Sequence, residues 1–391
     1  MKSINDIDVE SRKVFLRVDY NVPTDEQLNI TDDNRIKATL DLIRYLVEKK
    51  AKIIIASHMG RPDGMHDARF SLEKVGDRLA ELLNQPVEFV KDCVGDTVRT
   101  RVDRLTDGQV LLLENLRFYP AEKKNEDWFS EQLAGLCDIY VNNAFAVSHR
   151  DQASVTGVPR FVREKAAGFL LEKEVRSYSD SVENPKRPLT AVIGGAKVSG
   201  KLEALENMLN FVDCLIIGGA MANTFLKSQG VDTQGSMIET DLIQTAAGIV
   251  QTASEKGIDL LLPQDLVCAD AFKPDARTRM VSVNDIPGQW MALDIGAKTV
   301  QTYTSVIKKA KTIVWNGPMG VFEMDAFISG TKGVADAIAE SDAFSIVGGG
   351  DTGLAAKKCN VSEKISYIST GGGAFLHLME GKKLPGVAAL E

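Results

Sequence analysis

Two kinds of residue in this sequence are equipped for chemistry: glycines gathered where apolar runs stop, and cations placed just beyond other apolar runs. The run Ser345-Ile346-Val347 leads into Gly348-Gly349-Gly350-Asp351-Thr352-Gly353, and helix-forming Leu354 to Lys358 follows. Strand, tight turn and helix start, in that order, let backbone approach a phosphate closely. The open N–H groups and dipole of the helix start favour an anion there. Gly348, Gly350 and Gly353 also fit the GxGxxG dinucleotide fingerprint. That fingerprint needs an acidic residue about 20 positions on to hold a ribose, and Ile368-Ser369-Thr370-Gly371 offers none. Asp351 would repel a bare pyrophosphate, but beside a phosphate cradle it makes sense as a ligand of Mg²⁺. On this loop alone, a tight turn of an ordinary α/β protein stays open as the plain alternative.

Gly195-Ala196-Lys197-Val198-Ser199-Gly200-Lys201-Leu202 comes close to a P-loop. Leu202 stands where a hydroxyl should meet Mg²⁺, which leaves Asp351 as the metal candidate. Lys197 and Lys201 open an expected helix from Leu202 to Phe211, where cations oppose the dipole unless an anion is bound. Trp315-Asn316-Gly317-Pro318 leads to a loop carrying Glu323, placed to accept hydrogen bonds from ribose hydroxyls. Five apolar runs in this half, 191–193, 215–217, 313–315, 346–347 and 367–368, end in glycines or a Gly-Pro turn. Their recurrence points to backbone kept clear for a large ligand.

The first half offers side-chain cations instead. Val14 to Val18 reads as a strand ending at Asp19-Tyr20-Asn21, and Arg35 opens a helix expected to run to about Lys49. Ile53 to Ala56 is followed by His58-Met59-Gly60-Arg61, Val110 to Leu113 by Arg117, and Ile139 to Val141 by His149 and Arg150. Alternating strands and helices imply a parallel sheet with ligands at the carboxyl ends of its strands. Arg35, Arg61, Arg117 and Arg150, gathered at such ends, make an anion pocket, because a guanidinium matches carboxylate or phosphate in pairs. Taken singly, each would be a surface ion-pair partner. His58 and His149 lack metal-ligand spacing and read as substrate or capping groups.

These elements sit in a chain of 391 residues with 44% hydrophobic and 26% charged residues, enough for two ordinary cores. A net charge of −8 argues against nucleic-acid or acidic-membrane binding. Five scattered cysteines without a CxxC pattern imply reduced thiols and a cytoplasmic setting. The polar start reads as no signal peptide, and no apolar run is long enough to span a membrane. Asn184-Pro185-Lys186-Arg187-Pro188 reads as a linker, with a helix expected before it from Ala166 to Ser179.

Taken together, the motifs resemble the phosphoglycerate kinase family nearly end to end. The resemblance rests on Arg17-Val18-Asp19-Tyr20-Asn21-Val22-Pro23, His58-Met59-Gly60-Arg61-Pro62, Glu114-Asn115-Leu116-Arg117-Phe118, residues 167–174, Gly194-Gly195-Ala196-Lys197-Val198, Trp315-Asn316-Gly317-Pro318 and Gly348-Gly349-Gly350-Asp351-Thr352. It implies an α/β chain of two doubly wound parallel-sheet domains joined by a hinge helix. The expected division is residues 1–165 for 3-phosphoglycerate, 166–184 for hinge helix and linker, 185–370 for the nucleotide, and a tail, 371–391, returning to the first domain. By resemblance, Asp19, Tyr20, Asn21, Arg35, His58, Met59, Gly60, Arg61, Arg117 and Arg150 hold the glycerate substrate. Lys197, Lys201, Glu323, Gly349, Gly350, Asp351 and Thr352 hold ATP or ADP, with Asp351 on Mg²⁺. The backbone N–H of Gly372 faces the transferring phosphoryl group, whose charge Arg35, Lys197 and Mg²⁺ share.

The activity so implied is reversible phosphoryl transfer from 1,3-bisphosphoglycerate to ADP in glycolysis and gluconeogenesis, by a monomer whose domains close over both ligands. Gln152 stands where the family often has a second histidine. Ala292 and Ala297 replace a usual Gly and Pro, which bears on the shape of the adenine pocket. The competing readings are a nicotinamide dehydrogenase, which lacks its ribose acid, and a two-domain binding protein without turnover, which would retain costly charges unused.

Overall fold

Ile53, Ile54 and Ile55 are all without solvent exposure, as a β-branched run must be when both faces of a parallel sheet are covered. The computed structural model describes residues 1–391. They divide into unit one, Met1–Val175 with Lys383–Glu391, and unit two, Arg176–Lys382.

Unit one contains β1 (Lys13–Arg17), β2 (Lys52–Ala56), β3 (Val87–Val90), β4 (Val110–Leu113), β5 (Ile139–Asn142) and β6 (Glu164–Ala167). They form one parallel sheet in the order β3-β4-β2-β1-β5-β6. The chain winds one way from β1 and the other way from β5. The neighbours at that switch, Arg17 opposite Asn142 in register, mark where a crevice opens at the strand ends.

Unit two contains β7 (Leu189–Ile193), β8 (Cys214–Ile217), β9 (Asp259–Leu261), β10 (Asp265–Ala269), β11 (Thr278–Ser282), β12 (Met291–Ile295), β13 (Thr312–Asn316), β14 (Phe344–Val347) and β15 (Tyr367–Ile368). Six of them make a parallel sheet, β15-β14-β13-β7-β8-β9, whose switch point lies between β7 and β13. The other three form an antiparallel sheet, β11-β10-β12. Each parallel sheet packs on its own core, with Tyr20, Ile36 and Leu46 in unit one and Tyr303, Trp315 and Val334 in unit two.

Several elements depart from the sequence expectation. Ala166 and Ala167 do not begin a helix. They pair with Val141 and Asn142 as part of β6, and the helix runs from Phe169 to Tyr178. The alanines favour a helix alone, but a buried place in the sheet decides otherwise. The helix expected from Arg35 to Lys49 is two, Asn34–Lys37 and Leu40–Glu48. Between them the hydroxyl of Thr39 donates to the Ile36 carbonyl at 2.8 Å, the local side-chain bond by which threonine interrupts helices. The helix expected from Leu202 to Phe211 stops at Met208.

The unit boundary falls inside the helix Phe169–Tyr178, so residues 166–175 lie in unit one. Of the expected returning tail, residues 371–382 lie in unit two. There the helix Gly372–Met379 is tied to the helix Leu202–Met208 by Asn207 Nδ2, which donates to the Met379 carbonyl at 2.8 Å. Residues 383–391 belong to unit one. Gly386 N donates to the Ser148 carbonyl at 2.8 Å, and Asn142 Nδ2 donates to the Gly386 carbonyl at 3.2 Å.

Candidate active site

In unit one the loops after β1, β2, β4 and β5 bring the expected cations together. Arg117 sits in a tight turn, Leu116–Phe118, that Asn115 builds. The Asn115 side-chain oxygen accepts from Met59 N and Arg117 N at 3.2 and 3.0 Å, and its nitrogen donates to the Met59 and Phe70 carbonyls at 2.7 and 2.9 Å. So held, Arg117 is 4% exposed. Its Nη1 donates to the Gly60 carbonyl at 2.7 Å, while Nε and Nη2 are buried with no partner. Burial, then Arg150 and Arg17, pull its pKa down to about 10. Arg150 is likewise pulled down, chiefly by burial, with Arg61 and Arg17 among its repulsive neighbours.

His58 is buried in the same pocket. Desolvation and then the charges of Arg17, Arg117, Arg150 and Arg35 hold it neutral, well below the usual histidine range. Asp19 forms an ion pair with Arg35, and its other oxygen accepts from Asn21 N at 3.1 Å. Asn21 Oδ1 in turn accepts from Gly60 N at 2.8 Å, which fixes the pocket wall.

Two residues expected to hold substrate turn their side chains elsewhere. The Tyr20 ring is in the core, with its hydroxyl 2.8 Å from Thr39 Oγ1, and the Met59 side chain belongs to the same core. A loop residue after a strand faces in or out according to the pleat, and these two face in. Arg61 is exposed at the rim.

In unit two the site is mostly backbone. Gly317 has φ of +105°, and a Cβ there would collide with the Gly194 backbone and the Lys201 ammonium. Gly349, with φ of +98°, caps the helix Gly350–Lys358, and Asp351 is exposed in its first turn, where the dipole favours an acid. The Thr352 hydroxyl accepts from Gly317 N at 2.7 Å, so the threonine ties two glycine turns together. Gly372 opens its helix directly against Gly349.

Lys201 does not point along its helix. Nζ donates back to the Gly194 and Asn316 carbonyls at 2.7 and 2.8 Å, and burial lowers its pKa to about 8. Strand-end carbonyls thus compensate part of a charge that the helix start leaves unfavoured. Lys197 is exposed and close enough to act on Glu239.

Beside these groups lies a pocket of about 520 Å³. Its lining includes Met237, Phe272, Met291, Leu293, Glu323 and Asp351. An apolar floor with two carboxylates at its edge suits a planar ring system carrying a polar, phosphorylated sugar. Ala292 lines it, whereas Ala297 is exposed at the start of the helix Ala297–Ile307 and does not line it, so only the first of these substitutions bears on its shape. Met237, Phe272 and Met291 went unnoticed in the sequence. They lie far apart in the chain or carry no chemistry of their own, and of this wall the sequence singles out only Ala292, the neighbour of Met291. No group of three or more His, Cys, Asp or Glu side chains is arranged to hold a metal.

The fold and the two pockets define a class: a two-unit α/β protein with buried arginines at the strand ends of one unit and a roomy pocket beside glycine turns in the other. Comparison with known proteins narrows this. A sequence profile described as phosphoglycerate kinase matches residues 4–382. The chain is 62% identical over 391 residues to a phosphoglycerate kinase of Desulforapulum autotrophicum, covering 100% of both chains. It is 54% identical to that of Desulfosudis oleivorans, covering 100% of this chain and 99% of the other. Among solved structures, phosphoglycerate kinase from Coxiella burnetii superposes with a TM-score of 0.92 at 41% identity, over 99% of this chain and 98% of that one. The Pyrococcus horikoshii structure gives 0.86 at 33% identity, over 100% and 98%.

The chain belongs to the phosphoglycerate kinase family. Its activity is phosphoryl transfer between 1,3-bisphosphoglycerate with ADP and 3-phosphoglycerate with ATP, a step of glycolysis. The dehydrogenase reading and the reading without turnover fall away with that membership.

Proposed function

We propose that the arginine pocket of unit one holds the glycerate substrate and that the glycine-lined pocket of unit two holds ADP or ATP. The observation that carries the reading is Arg117. A buried charge among like charges, with two donors unspent, costs the empty protein free energy that a bound anion offsets. Arg61, Arg117 and Arg150 take the stationary phosphate and carboxylate, and His58, Asn21 and Asp19 complete the pocket. Tyr20, Met59 and Gly60 contribute backbone rather than side chains. Arg35, whose side chain is 39% exposed, reaches the moving phosphoryl group. In unit two, Lys197 and Lys201 meet phosphate oxygens and Glu323 the ribose. Gly349, Gly350 and Thr352 offer backbone N–H groups to the phosphates, and Gly372 N–H faces the transferred group.

The attacking oxygen is anionic in either direction, so no general base is required. Rate enhancement then comes from positioning and from stabilising charge spread over the transferring group. Transfer needs the acid and the nucleotide brought face to face during turnover, with water excluded from the acyl phosphate. One exposed carboxylate without a preformed cage fits a hard cation that completes its shell with phosphate oxygens and water. Asp351 would hold Mg²⁺ there, and the ion when bound neutralises phosphate charge. The protein works as a monomer in the cytoplasm, a setting that its five free cysteines favour.

Asp351→Asn tests the metal assignment. In an assay coupled to NADH oxidation, it should lose most activity at low Mg²⁺ and recover part of it as Mg²⁺ is raised. Activity equal to wild type at low Mg²⁺ would sink the assignment.

A further inference from the structure

Behind the unit-one pocket runs a chain of hydrogen bonds that the transfer itself does not touch. Glu122, with no exposed surface, lies in the short helix Pro120–Lys124. Its carboxylate accepts from Ser154 N at 2.9 Å and from the Ser154 hydroxyl at 2.6 Å. With that hydrogen committed, Ser154 Oγ accepts from Arg17 Nε at 2.7 Å. Arg17 is fully buried at the end of β1; Nη1 donates to the Val18 carbonyl, and Nη2 lies 3.3 Å from His58 Nδ1.

A guanidinium has five N–H groups and no acceptor, so Nδ1 of His58 must be the acceptor. A neutral imidazole that accepts at Nδ1 carries its proton on Nε2. Asp19 Oδ1 is 3.9 Å from Nδ1, beyond hydrogen-bond reach, so this carboxylate does not draw a proton to that nitrogen.

We propose that Glu122, Ser154 and Arg17 are positioning residues that fix His58 in the tautomer protonated on Nε2, and thereby make it a directed hydrogen-bond donor to the anionic substrate. The proposal rests on the reading of this pocket as the site of the acid. A neutral donor suits the place. It grips an anion without adding another positive charge to arginines that already repel one another. The single buried carboxylate of Glu122 offsets Arg17, which would otherwise stand among those arginines with only neutral partners.

The chain has four histidines, so isotope-labelled imidazoles can be resolved by long-range nitrogen–proton correlation spectra and His58 assigned with His58→Gln. At neutral pH the free protein should give the pattern of an Nε2–H imidazole at His58. Ser154→Ala should convert it to a tautomer mixture and raise KM for 3-phosphoglycerate about tenfold, with kcat within about twofold. KM for the nucleotide should not move. Ser154→Thr, which keeps the hydroxyl, should restore both signatures. Glu122→Gln keeps the shape and removes the charge. It should shift the tautomer in the same direction, and it serves if Ser154→Ala melts before assay temperature.

An Nδ1–H or imidazolium pattern in the wild type overturns the relay. So does a folded Ser154→Ala protein with an unchanged His58 spectrum. Addition of 3-phosphoglycerate is the separate check on the pocket. If no unit-one histidine signal moves, the pocket reading fails, while the tautomer of the free protein still decides the relay.

Discussion

The pocket of unit one is lined by buried side-chain charge, whereas that of unit two is lined by bare backbone and one buried lysine. The difference lies in where each pocket stores its cost. In unit one the cost is electrostatic: Arg117 and Arg150 are pulled down by burial and by neighbouring arginines, and His58 is held neutral. Binding an anion relieves it. In unit two, apart from the burial of Lys201, the cost is conformational, carried by glycines in left-handed backbone such as Gly317 and Gly349, and it is met on folding whether or not ligand is present. Substitutions should therefore separate stability from binding in the first pocket and join them in the second.

The hardest break is expected in the backbone pocket. Gly317→Ala adds a methyl at φ of +105° against the Gly194 backbone. It should cost roughly 3 kcal/mol of stability and weaken nucleotide binding on the order of 10²-fold. Binding of 3-phosphoglycerate should stay unchanged, as denaturant melts and calorimetry would record. A variant that loses stability but keeps nucleotide affinity would make the turn structural only.

Arg35→Lys comes next and acts on rate. The ammonium keeps the charge but loses the fork that meets two equatorial oxygens at once. Turnover should fall on the order of 10²-fold, with affinity for 3-phosphoglycerate changing less than about tenfold. A collapsed affinity with near-normal kcat would make Arg35 a ground-state binder.

Arg117→Met sharpens the contrast in the opposite direction. Removing a buried charge with two unpartnered donors should raise the stability of the empty protein by roughly 1 kcal/mol. The same change should weaken 3-phosphoglycerate roughly thirtyfold. A melting temperature that falls with ligand affinity would show that unit one also depends on its charges for folding.

The smallest effect is a pH dependence. Lys201 titrates near pH 8 in the free protein, far below an ordinary lysine, because it is buried. kcat/KM for the nucleotide should decline as pH rises through about 8, since the discharged amine loses its pull on phosphate. Affinity for 3-phosphoglycerate should show no step there, because Arg117, even pulled down to about 10, stays charged. Stability moves the other way. Between about 8 and the usual lysine value the unfolded chain binds more protons, so this residue's penalty fades as pH rises. A flat nucleotide profile would remove Lys201 from phosphate contact.

What the sequence made legible follows from distance along the chain. Arg117 and Arg150 could be placed because they follow their strands by four and eight residues, and the parallel alternation sends all such ends to one edge. The glycine turns were equally local. The antiparallel sheet was not, because β11 is mostly exposed and shows neither an apolar run nor a clean alternation. The anchors behind the cations also stayed hidden. Asn115 stood inside a recognised motif without a visible task, and nothing local says that Glu122 reaches Ser154, 32 residues on, to hold Arg17, another 137 residues back. Ala166 and Ala167 misled for the same reason, since a partner strand decides their state.

The nine-residue segment 383–391 has a consequence for the order of synthesis. Unit two, Arg176–Lys382, is one uninterrupted stretch whose synthesis is complete before Lys383 is joined. Unit one must wait: Gly386, which bonds Ser148 and Asn142 beside the β5 loop, follows the whole of unit two out of the ribosome. The first half to be made is thus the last to be completed. A chain truncated after Lys382 should keep unit two folded while exposing the switch-point edge of unit one to chaperones and proteases.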